Sequence, residues 1–141
     1  MDPYIAFLTE HWMLAAAFMA IVVLILLNEW RHRSFGVPGV SPVQLVDLLN
    51  HQNGVVIDIR TQERFDLGHI LGALSVPKES MTNSLQSLNK YKAKPVILVC
   101  HLGQDSPKTA LVLKSNGFTQ LYFLSGGMEA WRAAGLPVDK K

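Results

Sequence analysis

Residues 95–106 read PVILVCHLGQDS, an apolar run followed by a polar loop that contains a glycine. The run Pro95–Val99 is β-branched and short, which favours a strand buried on both faces. The loop leads into residues 107–116, whose spacing predicts a helix with Gly117 just beyond its end. A buried strand, a short loop and a helix are typical of α/β proteins with a parallel sheet.

The same alternation extends along the chain on both sides of this stretch. Further strands are predicted at Val55–Ile59, Ala73–Val76 and Leu121–Leu124. Further helices are predicted at residues 42–50, 61–67, 84–90 and 128–134, the first of them opened by Ser41 as N-cap and a proline. We therefore expect an α/β domain whose mostly parallel central sheet is flanked by helices.

Hydrophobic residues are concentrated near the N-terminus, where residues 1–35 contain 24 of them, whereas residues 36–141 contain 45. Trp12–Leu27 is sixteen residues long and carries no charge, and Trp12 and Trp30 are spaced like interfacial anchors. This pattern predicts one transmembrane helix. Two alternatives are disfavoured. A buried core helix would show an amphipathic period, which this segment lacks. A cleaved signal peptide would begin with basic residues, and none precedes this span.

Charge predicts how this helix is oriented. Arg31 and Arg33 follow the apolar span, and no Lys or Arg precedes it, so the positive-inside rule places the N-terminus outside and the remainder in the cytoplasm. The glycines and proline of Ser34–Gly39 predict a linker. We expect an anchor with basic juxtamembrane residues at 1–35 and a globular domain at 36–141.

The chain has a single cysteine, which excludes an intramolecular disulfide and a metal site built on several cysteines. This composition fits a reducing compartment. The basic residues form no dense run, so the sequence does not indicate nucleic-acid binding. The five histidines show no metal-ligand spacing, and we expect no metal and no cofactor.

Cys100 is the candidate nucleophile because it lies between a predicted strand and the loop before a helix. Backbone N–H groups of such a loop and the helix N-terminus favour a thiolate over a thiol. Gly103 allows the loop to curl, and Ser106 can cap the helix or donate to a bound sulfur species. The alternative is an inert buried thiol. His101 points away from its neighbour in an extended chain, so a Cys–His pair is not implied.

Asp58 and Arg60 follow the strand at Val55–Ile59, and a buried ion pair is favoured over a catalytic pair. His69 is interpreted as a capped structural histidine rather than a ligand.

Taken in order along residues 40–138, these features resemble the rhodanese family of single-domain sulfurtransferases. The stretches that carry the resemblance are Ser41-Pro42, Ile57–Arg60, Glu63, Phe65, Gly68-His69-Ile70, Gly72-Ala73, Pro77, Cys100-x-x-Gly103-x-x-Ser106, Ala110, Leu113, Gly117-Phe118, Leu124, Gly126-Gly127, Trp131, Gly135 and Pro137. With its anchor, the chain is most similar to membrane-anchored rhodanese-like proteins of Gram-negative bacteria. The resemblance implies a single-pass protein of the bacterial inner membrane with a periplasmic N-terminus.

The resemblance also implies a mechanism in which Cys100 takes sulfur from thiosulfate or a persulfide and passes it to a thiol or protein acceptor. The loop residues that would cradle the persulfide are His101, Leu102, Gly103, Gln104, Asp105 and Ser106. Asp58 and Arg60 would support this loop.

One residue departs from the family pattern. Many active members carry arginine where this chain has Asp105, and a carboxylate beside an anion site repels a dianion. We therefore expect poor thiosulfate:cyanide activity. Related phosphatases carry arginine at the position of Ser106, so phosphatase chemistry is not expected. The alternatives to an enzyme are an adaptor that binds a protein partner at the inner membrane and a thiol sensor.

Overall fold

The computed structural model describes residues 2–140, without the side chains of residues 31–35. The chain divides into two compact units, Met1–Gly36 and Val37–Lys141. This division lies one residue after the boundary expected from the sequence.

The first unit consists of two helices, α1 (Pro3–Glu10) and α2 (Trp12–Phe35). Within α2, the segment Trp12–Trp30 has a mean hydropathy of 2.1, and none of it is buried. By length and composition, this helix could cross a membrane. The side chains of Arg31 and Arg33, on which the predicted orientation depends, lie outside the described residues.

The second unit is built on one sheet of five parallel strands. The strands are β1 (Gly39–Val40), β2 (Val55–Asp58), β3 (Leu74–Ser75), β4 (Val96–Val99) and β5 (Leu121–Leu124), in the spatial order β1-β5-β4-β2-β3. The α/β class and the parallel sheet predicted from the apolar runs are confirmed.

Helices cover both faces of this sheet, because alternate residues of the buried strands point to opposite sides. The helices are α3 (Pro42–His51), α4 (Gln62–Leu67), α5 (Met81–Leu88), α6 (Ser106–Ser115) and α7 (Gly127–Ala133), with 3-10 turns at Lys78–Ser80 and Asn89–Tyr91. Val96 and Leu98 share one apolar cluster with residues of α5 and α6. Ile97 and Val99 share the other cluster with residues of α3 and α7.

Two predicted helix ends are confirmed. The Ser41 hydroxyl accepts a hydrogen bond from the backbone N–H of Gln44, whose side chain accepts one from the Ser41 N–H, which completes a capping box. Gly117 follows the C-cap residue of α6 with φ +96°, a conformation that favours glycine.

The interpretation of residues 34–39 as a linker throughout is wrong at Gly39, which pairs with Phe123 in the edge strand β1. Two residues are too few to show an alternating pattern, and glycine is depleted in strands. A larger residue at position 39 would crowd the neighbouring strand, because an added Cβ would lie 2.9 Å from the Phe123 ring.

Candidate active site

The candidate site lies where the connections of the sheet change direction. The central strands β2 and β4 are neighbours; the chain leaves β2 toward β3 at one edge and leaves β4 toward β5 on the other side. In open parallel sheets, such a point opens a crevice beyond the carboxyl ends of the strands. Asp58 ends β2, and Cys100 directly follows β4, so both lie at this crevice.

The Cys100 thiol lies at the base of a polar loop. Only 4% of the residue is exposed, and its Sγ accepts a hydrogen bond from the backbone N–H of Gly103 at 2.9 Å. Gly103 has φ +83°, which allows the loop to fold back on the sulfur. Hydrogen bonds of this kind stabilise negative charge on sulfur.

The backbone that follows the turn Gly126-Gly127 is hydrogen-bonded to the start of the loop. The backbone N–H of Met128 donates to the Cys100 carbonyl at 2.9 Å, and that of Glu129 donates to the His101 carbonyl at 3.3 Å. Gly127 has φ +59°, and a Cβ there would overlap the Cys100 carbonyl oxygen. Both glycines belong to the motif pattern of the sequence, and the structure shows that their turn holds the backbone around Cys100.

Ser106 is not the N-cap of α6, which corrects the first of its two predicted roles. Asp105 occupies the cap position without a side-chain bond, and the helix begins one residue earlier than predicted, at Ser106. Ser106 is fully buried, and its Oγ is the only buried side-chain polar atom in the described chain without a hydrogen-bond partner. Such groups are rare in proteins, and this hydroxyl is available to donate a hydrogen bond within the loop 100–106.

The remaining loop side chains point to solvent. Leu102 and Gln104 are exposed. The His101 ring is partly exposed, and its Nδ1 lies 3.8 Å from Glu129 Oε1. No hydrogen bond joins His101 and Cys100 in the described residues, so the loop can contribute through its backbone without a general base.

Asp58 and Arg60 form the predicted ion pair at the end of β2. The guanidinium donates to both carboxylate oxygens, with Nη2 to Oδ2 at 2.6 Å and Nε to Oδ1 at 2.9 Å. Arg60 Nη2 also donates to the Gly68 carbonyl at 2.8 Å. Asp58 is 1% exposed and Arg60 is 7% exposed. The pair therefore ties β2 to the segment after α4.

Cys100 lines a cavity of about 170 Å³ whose lining carries charge of both signs. Its lining residues are Ile59, Arg60, Thr61, Arg64, Lys78, Glu79, Cys100, His101 and Asp105. Asp105 does face the cavity, but its Oδ2 lies 3.3 Å from Lys78 Nζ. The sequence does not predict Lys78 and Arg64 as site residues, because Lys78 reaches the loop from a 3-10 turn and no motif marks either residue.

His69 packs away from this cavity as a structural residue. Its ring stacks on Phe65 with 3.8 Å between centroids, and its Nδ1 lies 2.8 Å from the Phe65 carbonyl oxygen. Its backbone forms a bridge with Asp139. In the part of the chain that the structure describes, no group of three His, Cys, Asp or Glu side chains is arranged to hold a metal ion.

Both the sequence and the fold of this chain match known proteins. The family model for the Rhodanese-like domain matches residues 41–134. The chain is 30% identical over 139 residues to the uncharacterized protein YibN of Escherichia coli K12, covering 98% of this chain and 97% of that protein. It is 34% identical over 94 residues to the thiosulfate sulfurtransferase GlpE of Pseudomonas putida GB-1, covering 67% of this chain and 84% of that protein.

Solved structures share the fold. A rhodanese-like domain protein of Staphylococcus aureus superposes with a TM-score of 0.64 at 28% identity, over 74% of this chain and 99% of that chain. A thiosulfate sulfurtransferase of Pseudomonas aeruginosa superposes with a TM-score of 0.66 at 24% identity, over 74% of this chain. This chain spans only 19% of the latter protein.

Proposed function

The chain belongs to the rhodanese-like family, and we propose that it is a membrane-anchored sulfurtransferase that carries sulfane sulfur as a persulfide on Cys100. The observation that carries the proposal is the 2.9 Å hydrogen bond from the Gly103 N–H to Cys100 Sγ. It points a backbone donor at the sulfur of a residue that lines the cavity beyond the carboxyl ends of β2 and β4. The name of the GlpE relative supports the same reaction class.

The first half-reaction loads the cysteine. The Cys100 thiolate attacks the outer sulfur of thiosulfate or of a persulfide, and a new S–S bond forms as the donor's S–S bond breaks. Sulfite or a thiolate leaves with the electron pair. The unpartnered Ser106 Oγ can then donate to the added sulfur, as the second of its two predicted roles requires.

The second half-reaction passes the sulfur to a thiol or protein acceptor. The acceptor thiolate attacks the outer sulfur, and the Cys100 thiolate is released for the next turnover. No cofactor takes part in either step. The chain's own contribution is to hold the loop 100–106 curled, through the turn at Gly127, and to fix one wall of the cavity through Arg60, which Asp58 holds in place.

Asp105 is proposed to make thiosulfate a poor donor. Its carboxylate lines the same cavity as Cys100 and repels a dianion placed there. The ion pair with Lys78 reduces this repulsion without removing it, because both side chains are partly exposed and such pairs are weak. A donor with less charge near its sulfane sulfur is favoured.

The anchor is proposed to span the bacterial inner membrane once. We assign residues 1–35 to the anchor and residues 36–141 to the rhodanese-like domain, with the N-terminus periplasmic. The apolar helix Trp12–Trp30 supports the span, and Arg31 and Arg33 after it support the orientation. Reporter fusions at each terminus test this topology, and a reporter active outside the cytoplasm when fused after Lys141 would refute it.

Activity is tested by single-turnover transfer from thiosulfate or polysulfide to cyanide, read as thiocyanate. Wild-type full-length protein in detergent should form thiocyanate faster than a protein-free control, more slowly from thiosulfate, and Cys100→Ser should form it no faster than that control. Lys90→Gln is the matched surface control, since Lys90 lies outside the cavity. Equal rates in wild type and Cys100→Ser would refute a role for this thiol.

Asp105 also favours a second candidate function, because its carboxylate opposes the binding of an anionic sulfur donor. In this alternative the protein is an adaptor that binds a protein partner at the inner membrane and does not turn over sulfur. The adaptor predicts that Cys100→Ser leaves partner recovery unchanged. The sulfurtransferase predicts that this variant loses transfer with every donor and acceptor.

A further inference from the structure

A second cavity adjoins the one that contains Cys100. It measures about 440 Å³ and is lined by Arg60, Glu63, Arg64, Leu67, His101 and Arg132. Three residues, Arg60, Arg64 and His101, line both cavities. A molecule whose sulfur reaches Cys100 can therefore extend its other end between α4, which carries Arg64, and α7, which carries Arg132.

The cations around these cavities differ in whether a protein group already pairs with them. Arg60 is held by Asp58, and Lys78 by Asp105. The Arg64 side chain has no hydrogen bond or ion pair with any described residue. Arg132 has only a contact of 3.9 Å between its Nη1 and Glu129 Oε1, with both side chains partly exposed.

Arg64, without a side-chain partner, and Arg132, with one weak contact, therefore line the second cavity, where Glu63 is the one lining carboxylate and Glu129 lies beside Arg132. The guanidinium group binds carboxylates through paired N–H donors. The Cys100 cavity is less positive, because two carboxylates, Asp105 and Glu79, line it together with Arg60, Arg64 and Lys78. The site thus favours negative charge more in the second cavity, several atoms from the reacting sulfur, than next to that sulfur.

We propose that the second cavity binds the acid group of a small thiol or persulfide whose carboxylate is separated from its sulfur by a short spacer, and that Arg64 and Arg132 hold that group. This inference rests on the proposed sulfurtransferase function and specifies its substrate class. Thiosulfate does not meet the requirement, because its charge lies directly on the sulfur group that enters the Cys100 cavity.

Sulfur transfer to such a thiol balances without a further reactant. The acceptor thiolate attacks the outer sulfur of the Cys100 persulfide, and a new S–S bond forms on the acceptor. The bond between Cys100 Sγ and the outer sulfur breaks, and Cys100 leaves as a thiolate. The acceptor departs as a persulfide that still carries its carboxylate.

The chain's single cysteine allows a test that needs no sulfur transfer. N-ethylmaleimide is neutral, and 3-maleimidopropionate is a similar molecule that carries a carboxylate beyond a short spacer. Both add to Cys100 through a C–S bond, and a proton goes to the neighbouring carbon. The ratio of their rates on the full chain in a nonionic detergent reports charge in the second cavity.

Replacing one cation that lies a few ångströms from the carboxylate should lower this ratio about fivefold. We expect this decrease for Arg64→Gln and for Arg132→Gln, and an increase for Glu63→Gln. Arg64→Lys should keep most of the wild-type ratio. Lys90→Gln removes an exposed cation that lines neither cavity and should change nothing. Unchanged ratios in both arginine variants, or no labelling of wild type by either reagent, would overturn the proposal.

The substrate class is tested with preloaded persulfide. 3-Mercaptopropionate should discharge wild-type protein faster than 2-mercaptoethanol at equal thiolate concentration, and Arg64→Gln should remove most of this preference. Equal discharge rates in wild type would overturn the proposal. Failure to load any persulfide would instead refute the proposed function, and the maleimide ratio would still decide whether the second cavity binds an acid group.

Discussion

Replacing Gly127 with alanine should damage the loop around Cys100 more than the same change at another glycine of similar conformation. Gly127 has φ +59°, and placing alanine in this left-handed region costs about 1–2 kcal/mol. The added Cβ would also lie 2.5 Å from the His101 carbonyl oxygen and would overlap that of Cys100. Both contacts are backbone atoms, which cannot rotate away as a side chain can.

Relieving this overlap requires the start of α7 to move away from the loop. Overpacking of this kind costs about 1–3 kcal/mol, and the two hydrogen bonds from Met128 and Glu129 to the loop weaken. We expect Gly127→Ala to lower the free energy of unfolding by about 2–5 kcal/mol. Gly72 provides the control, because it has φ +79° and an added Cβ would meet nothing within 4 Å. Gly72→Ala should therefore cost only about 1–2 kcal/mol.

Urea unfolding followed by the fluorescence of Trp131 measures the difference, since this residue is buried in the core. A Trp12→Phe/Trp30→Phe background removes the other two tryptophans of the chain. Gly127→Ala should also slow labelling of Cys100 by N-ethylmaleimide, whereas Gly72→Ala should not. Equal destabilisation by the two variants would refute the reasoning that the turn at Gly126-Gly127 supports the loop.

Three further predictions concern the residues around the loop. Asp105→Asn should raise kcat/KM for thiosulfate about fivefold, because it removes a carboxylate from the Cys100 cavity and frees Lys78; an unchanged value would show that this charge does not limit donor binding. Asp58→Asn should lower the free energy of unfolding in urea by about 3–5 kcal/mol, because it leaves the Arg60 charge buried without its partner; a loss within experimental error would contradict the role of this pair. Ser106→Ala should leave the resting protein as stable as wild type or up to about 1 kcal/mol more stable in urea, yet lower the yield of persulfide; destabilisation of the resting protein would show that Oγ already has a partner.

The parts of the fold that the sequence predicts are those set by local patterns. The strands β2, β4 and β5 are continuous apolar runs between turn residues, so period and length identify them. The capping box at Ser41 involves residues three apart, and the Asp58–Arg60 pair involves residues two apart. Each of these depends on neighbours in the chain and needs no knowledge of the tertiary structure.

The parts that the sequence does not predict are contacts between distant segments. The ion pair between Lys78 and Asp105 joins residues 27 positions apart, and neither belongs to a motif that requires the other. The start of α6 differs by one residue, which changes Ser106 from a solvated cap to a buried hydroxyl without a partner. The packing of Gly127 against the Cys100 carbonyl depends on how α7 meets the loop.

The central claim is that Cys100 carries transferable sulfur, and the intact mass of the full chain after incubation with thiosulfate or polysulfide tests it most directly. Wild-type protein should gain about 32 Da, the mass of one sulfur atom, and should lose it again on addition of cyanide. Cys100→Ser should gain nothing, since the chain has no other cysteine. No mass increase on wild type with any donor, or the same increase on Cys100→Ser, would contradict the account.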